Sequence, residues 1–125
     1  MSPYCRSSWE YQFAKWCDFN EHIVSWGFEY TVVPYYYKGR IKRYFVDFTV
    51  NFDDGRTILF EIKPSKQTKP PKSKSRKTKR YLYESETFAI NSLKWQSAKQ
   101  YADKKGYVFQ ILTEHELKKM GLRIV

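Results

Sequence analysis

Residues 40–63 read RIKRYFVDFTVNF, DDG and RTILFEIK, and no other stretch of the chain leaves the backbone so few choices. From Arg40 to Phe52 the pattern alternates, with Tyr44, Val46, Phe48, Val50 and Phe52 on one side and Phe45, Asp47, Thr49 and Asn51 on the other. A period of two is that of a β-strand. Asp53-Asp54-Gly55 signals a three-residue hairpin loop with Gly55 in the left-handed position. Arg56 to Lys63 is then the returning strand, with Ile58, Phe60 and Ile62 on one face and Thr57, Leu59, Glu61 and Lys63 on the other. In this register Phe52 faces Arg56, and counting five residues outward along each strand sets Asp47 opposite Glu61. Directly opposed residues share a face of the sheet, with Cβ atoms about 5 Å apart.

The remaining elements arrange themselves around this hairpin. Trp9, Phe13, Trp16 and Cys17 recur at helical spacing, so residues 8–20 read as an amphipathic helix, and Ser7 and Glu10 have capping-box spacing. Residues 27–35 are β-branched and aromatic and run into Pro34, which suits a strand near an edge, and Gly39 turns the chain. A helix is expected from about Tyr83, with a break near Asn91 and Ser92, ending at Lys104-Lys105-Gly106. There the cations meet the negative end of the helix dipole, and the glycine supplies a left-handed cap. Tyr107 to Leu112 is a last strand, and Thr113 and Glu116 repeat the capping-box spacing before a short helix that stops at Gly121. The order is helix, three strands, helix, strand, helix: an α/β fold whose last strand returns beside the hairpin through a crossover.

A chain of 125 residues has the size of one domain, 1–125, and an apolar content of 42% is too high for disorder. The sequence shows neither a membrane-length apolar run nor a signal-peptide core, so a soluble intracellular protein is expected. Cys5 and Cys17 lack the spacing of a zinc site and read as packed thiols. The 23 Lys and Arg against 13 Asp and Glu give +10, which calls for a polyanionic partner. Nucleic acid fits better than a membrane, because no basic amphipathic helix offers an apolar face to lipid. No small-molecule cofactor is indicated.

Two carboxylates opposed on a half-buried face repel unless a cation lies between them. Mg²⁺, or Mn²⁺ in its place, prefers oxygen donors and takes one or two protein carboxylates, the rest of its shell being water and phosphate oxygen. Lys63, on the same face as Glu61, is placed to orient water or offset charge on a phosphate. Asp47, Glu61 and Lys63 therefore answer the needs of phosphodiester hydrolysis.

An acid in the first helix, an Asp on one strand and E-x-K on the next, in an αβββαβ core with a mixed sheet flanked by helices, resembles the PD-(D/E)xK nuclease superfamily. The matching residues are Glu10, Asp47 and Glu61-Ile62-Lys63, with Val46 where the superfamily usually has proline. More narrowly, RSSWEYQFAKWCD, SWGFEYTVVPY, KRYFVDFTV, LFEIKPSKQTKPPK and KWQSAKQYADKKGYVFQILTE are similar to the head-completion nucleases of T-even-type tailed bacteriophages, a family akin to the TnsA transposon endonuclease. The resemblance implies metal-dependent DNA cleavage late in virion assembly, Glu10 as a further catalytic and metal-binding residue, and phage head or neck proteins as partners. It implies work in the host cytoplasm, with incorporation in the virion. A second reading keeps the fold for a non-catalytic DNA-binding or capsid-joining protein. A third, resting on charge and aromatics alone, is an RNA-binding module.

Between Lys63 and Arg80 nine of eighteen residues are basic, and residues 64–79 contain no acidic, aromatic or aliphatic side chain. Such a segment cannot build a core, so a mobile basic loop at about 64–80 is expected to gather double-stranded DNA through Lys66, Lys69, Lys72, Lys74, Arg76, Lys77, Lys79 and Arg80. Arg40, Lys42 and Arg43 extend this track, with Lys94 a further contact and Gln67 near enough to touch a phosphate or water. Lysine contacts carry little base discrimination, so low sequence specificity follows. Three adjacent tyrosines, Tyr35 to Tyr37, cannot all face inward on a strand.

Overall fold

The computed structural model describes residues 7–72 and 76–124. Its elements are α1 (Ser8–Phe19), β1 (Ile23–Phe28), β2 (Val32–Tyr37), β3 (Arg40–Phe45), β4 (Phe48–Phe52), β5 (Thr57–Ile62), a 3₁₀ turn (Ser65–Thr68), α2 (Lys79–Lys105), β6 (Val108–Leu112) and α3 (Glu114–Lys119). The main sheet has the order β1-β4-β5-β6, with the first two pairs antiparallel and β5-β6 parallel. Parallel neighbours need a long crossover, which α2 supplies. An αβββαβ core in a mixed α/β sheet is thus present, as expected, with the β2-β3 hairpin inserted between its first two strands.

The Asp53-Asp54-Gly55 hairpin has the expected register: Phe48 pairs with Phe60 and Asn51 with Thr57, the Phe52 amide donates to the Arg56 carbonyl at 2.9 Å, and Gly55 has φ +90°. The strand expected over 40–52 is not straight. It divides at Val46 and Asp47 into β3, paired with β2, and β4, paired with β1. The single strand expected over 27–35 divides likewise at Glu29 to Thr31. Phe28 pairs with Phe48 and Val32 with Phe45, so three residues on one side of the bend, 29–31, oppose two on the other, 46 and 47. The extra residue acts as a β-bulge and turns the ribbon. Two hydrogen bonds of 3.0 Å hold the bend, Glu29 N–H to the Asp47 carbonyl and Val46 N–H to the Thr31 carbonyl. Inside it the Thr31 and Thr49 hydroxyls meet at 2.5 Å.

The bend moves side chains between layers. Phe48 and Val50 pack with Phe60, Ile62, Phe13 and Leu117 on the α1/α3 side, whereas Tyr44 and Val46, expected on that same face, pack with Val33, Leu59, Ala98 and Ala102 on the α2 side. Phe13 is wholly buried, with ring centroids 4.7 Å from Phe48 and 5.2 Å from Phe60. Truncating such a ring costs about 3–5 kcal/mol.

The helices differ from expectation at their ends. Thr78 caps α2 by accepting from the Tyr81 amide at 3.1 Å, so Lys79 and Arg80 are helical rather than loop. No break occurs at Asn91 and Ser92: the Ser92 hydroxyl bonds the Phe88 carbonyl at 2.9 Å and Asn91 is buried. The Gly106 cap and the Thr113–Glu116 capping box form as read, with Gly106 at φ +75°. Cys17 is a buried thiol whose pKa burial pushes up to about 12, while Cys5 lies outside the described residues.

Gly27 lies beside the bend, where a Cβ would stand 2.9 Å from the Cβ of Tyr30. Gly27→Ala is expected to lower stability by about 1–3 kcal/mol through overpacking. Urea unfolding reads this, and an unchanged midpoint removes the bend's need for glycine at that position.

Candidate active site

The bulged ribbon carries Asp47 to the edge of a cleft of about 560 Å³. Glu61, at the end of β5, and Lys63, just beyond it, line the same cleft, as do Glu10 from the first turn of α1 and Lys94 from α2. Ser7 fixes the helix start beneath Glu10 by accepting its amide at 3.2 Å. Glu10, Asp47 and Glu61 are 5–6% exposed. In register Asp47 is the residue opposite Glu61, one step past the last laddered pair. Its carboxylate reaches one residue further, where Oδ2 accepts the buried Ile62 amide at 2.9 Å. Asp47 therefore has a structural part: loss of this acceptor would leave a buried donor unsatisfied, at about 1–3 kcal/mol.

Glu61 is held differently. Its Oε2 accepts the Trp95 indole N–H at 3.3 Å, while the buried Oε1 lacks a hydrogen bond of good geometry. The Tyr44 hydroxyl, also buried, makes no hydrogen bond of good geometry. Burial first, then the Glu61 carboxylate beside it by charge and by a weakly aligned hydrogen bond, and last the Asp47 carboxylate, push its pKa far above the usual phenol range, so it stays protonated. Lys94 lies over the rings of Tyr44 and Tyr35, at 5.7 and 5.9 Å. Among the described residues no three His, Cys, Asp or Glu side chains come together as a group that could hold a metal ion. A cation that takes one or two carboxylates and completes its shell with water and substrate oxygens needs no such group, and the Glu61 Oε1, which lacks a hydrogen bond of good geometry, is a donor atom of the kind it takes.

Arg43 and Gln67 line this cleft, Arg43 with its guanidinium 5.6 Å above the Phe45 ring. Lys66, Lys69 and Arg80 line a second cleft beside it. Arg40, Lys42, Lys72, Arg76, Lys77 and Lys79 are exposed and line neither, and Lys74 lies outside the described residues. Of the three tyrosines, Tyr36 is exposed, Tyr35 packs inward and Tyr37 donates to Glu86 at 2.6 Å.

Glu29, Tyr44 and Asn91 also line the first cleft, and the sequence pattern gives none of them a role there. By residue type Asn91 reads as a cap, and by alternation Tyr44 reads as an ordinary inward strand residue. Glu29 has φ +53°, which costs a residue other than glycine about 1–2 kcal/mol. Only the bulge generates it, and no local sequence signal announces a bulge.

A clamp holds the turn whose Pro64 and Gln67 line the first cleft. The Glu114 carboxylate accepts the Ser65 amide at 2.8 Å and the Ser65 hydroxyl at 3.0 Å, tying the turn after Lys63 to α3. The Ser65 amide, chiefly, lowers the Glu114 pKa below its ordinary value of 4.5. A depressed carboxyl pKa means the clamp is fully made above the ordinary glutamate range and is lost as pH falls through the lower folded-state value. In a carbon-detected titration, Glu114 is expected to titrate below its ordinary range, and Glu114→Ala to speed exchange of the Ser65 amide at neutral pH. Titration at or above that range contradicts the clamp.

Residues 20–114 match the family described as TnsA-like endonuclease N terminal. The chain belongs to this family. It is also 39% identical over 124 residues to the head completion nuclease of Enterobacteria phage T4, covering 94% of this chain and 83% of that protein. No solved structure matches it.

Proposed function

We propose that the protein, as one nuclease domain spanning 1–125, is a Mg²⁺-dependent DNA endonuclease acting in completion of phage heads. The observation that carries this reading is the buried Glu61 carboxylate, whose Oε1 lacks a hydrogen bond of good geometry, in a cleft shared with Asp47, Glu10 and Lys63. A buried carboxylate oxygen held so weakly by its own chain is costly unless a ligand completes it. Membership of an endonuclease family, and the name of the phage T4 relative, support the same conclusion.

Asp47 and Glu61 would hold the cation, with Glu10 in support; when bound, Mg²⁺ supplies Lewis-acid polarisation of phosphate oxygen and a more acidic water. The protein's own part is preorganisation. The Ile62 amide fixes the Asp47 carboxylate, and the Trp95 indole fixes Glu61. Lys63 brings a positive charge to the scissile phosphate, where charge develops during displacement. Arg43 and Lys94 offset the phosphates on either side. Such contacts address the backbone of duplex DNA and give little sequence preference. Head or neck proteins are the partners this role entails, in the host cytoplasm and in the virion.

Linear and circular duplex DNA incubated with Mg²⁺, Mn²⁺ or chelator tests the proposal. Cleavage is expected only with metal, and Lys63→Ala should slow it on the order of 10²–10³-fold. Metal should also raise the unfolding free energy of the wild type, by about 2.7 kcal/mol at a hundred times its dissociation constant, and leave Glu61→Gln unmoved. Cutting that persists in chelator, or Asp47→Ala cutting at the wild-type rate, ends the metal-nuclease reading.

A further inference from the structure

The second cleft, of about 510 Å³, opens beside the first, and Gln67 and Asn91 line both. Its far wall is the exposed half of α2. Arg80, Tyr83 or Glu84, Thr87 or Phe88, and Asn91 recur at three- and four-residue steps and so share a helix face that leads toward Lys94 in the first cleft. Its near wall is the turn after Lys63, with Lys66 and Lys69. Two kinds of side chain meet here. Lys66, Lys69 and Arg80 supply positive charge, which remains in excess although Glu84 pairs with Arg80 at 2.8 Å. Tyr83, 72% exposed, and the half-buried Phe88 supply ring faces.

Charge alone suits duplex phosphates, but rings exposed in a cleft suit bases that are not already stacked on each other. A positively charged groove with aromatic faces is the general form of a single-strand site. The volume, at the scale of a small-ligand pocket, suits a nucleotide or two of an unpaired strand. From Asn91 to Tyr83 the helix runs roughly 12 Å at 1.5 Å per residue, the length of a short run of bases.

Building on the nuclease reading above, we propose that this second cleft binds an unpaired stretch of the DNA strand that enters the first. The protein then engages single-stranded tails and duplex–tail junctions in preference to blunt duplex. The common wall at Gln67 and Asn91 makes the path continuous: backbone phosphates pass the two lysines, a base stacks on Tyr83, and the junction phosphate lies toward Lys63.

Fluorescence anisotropy in chelator, where no metal-dependent cutting occurs, tests this with labelled duplexes that are blunt or carry an oligo-dT tail. The tailed duplex should bind more tightly. Tyr83→Ala should weaken tail binding by about 5- to 150-fold, and Tyr83→Phe, which keeps the ring, should restore it. Replacing Lys66 and Lys69 together by alanine should flatten the salt dependence of tail binding by roughly 1.4 in slope, 0.7 for each phosphate no longer neutralised. Equal affinity for tailed and blunt duplexes overturns the proposal, as does a Tyr83→Phe loss as large as that of Tyr83→Ala. Tighter binding of single-stranded RNA than of DNA of the same sequence overturns the assignment to DNA. Metal-dependent cutting without tail preference sinks this inference alone, whereas tail binding without cutting under any metal sinks the endonuclease reading alone.

Discussion

The mismatch of three residues against two at the bend lets one strand pair serve two layers of the molecule. Below it β1 and β4 belong to the main sheet and face α1; above it β2 and β3 form a hairpin whose Val33 and Tyr44 pack with α2. Asp47 is at the point of transfer. Its carbonyl takes the Glu29 amide and its carboxylate the Ile62 amide, so a single residue joins the bend to the end of β5. Glu61 and Lys63 follow from that end without further construction, because strand alternation places them. The position of Asp47 thus rests on backbone hydrogen bonds at the bend and at the end of β5, and that of Glu61 on the Trp95 indole as well.

Much of this was legible in the sequence because hairpin geometry is local. Asp53-Asp54-Gly55 determines its own register, and a register determines every pairing along two strands, so the relation of Asp47 to Glu61 follows from counting. The caps at Ser7, Gly106 and Thr113 were legible for the same reason: each is set by residues a few positions apart. The bulge was not, since alternation in 40–52 continues unbroken on paper while the chain bends in space. Tyr44 and Val46 thus exchanged layers, and Glu29 entered the cleft unannounced. Asn91 and Ser92 misled in the opposite direction. Their types favour caps, but burial of one and a backbone bond from the other absorb them within a continuous helix.

Charge is distributed in a way that composition alone conceals. The net +10 lies mostly on exposed lysines and arginines, while Glu10, Asp47 and Glu61, three of only 13 acidic residues, are gathered into one buried place. The surface is therefore positive while the first cleft is lined by acids, Glu29 beside the other three, with Lys63, Arg43 and Lys94 lining it too. Under the proposed function such a surface would draw in a phosphate backbone at long range, and a bound cation would reconcile it with these acids at short range.

Along α2 the two ends are anchored very unequally. Ala98 and Ala102 are buried in the core, and their small side chains let the helix approach the sheet closely, whereas no residue from 79 to 90 is buried. One continuous hydrogen-bond ladder thus joins a half fixed by core packing to a half held at the surface, where Glu86 takes the Tyr37 hydroxyl and the Lys38 ammonium. The helix resembles a beam set in a wall at one end and pinned by a bracket near the other. Its set half determines where Lys94 and Trp95 stand, and its pinned half carries Arg80, Tyr83 and Phe88 on a surface that core packing does not constrain.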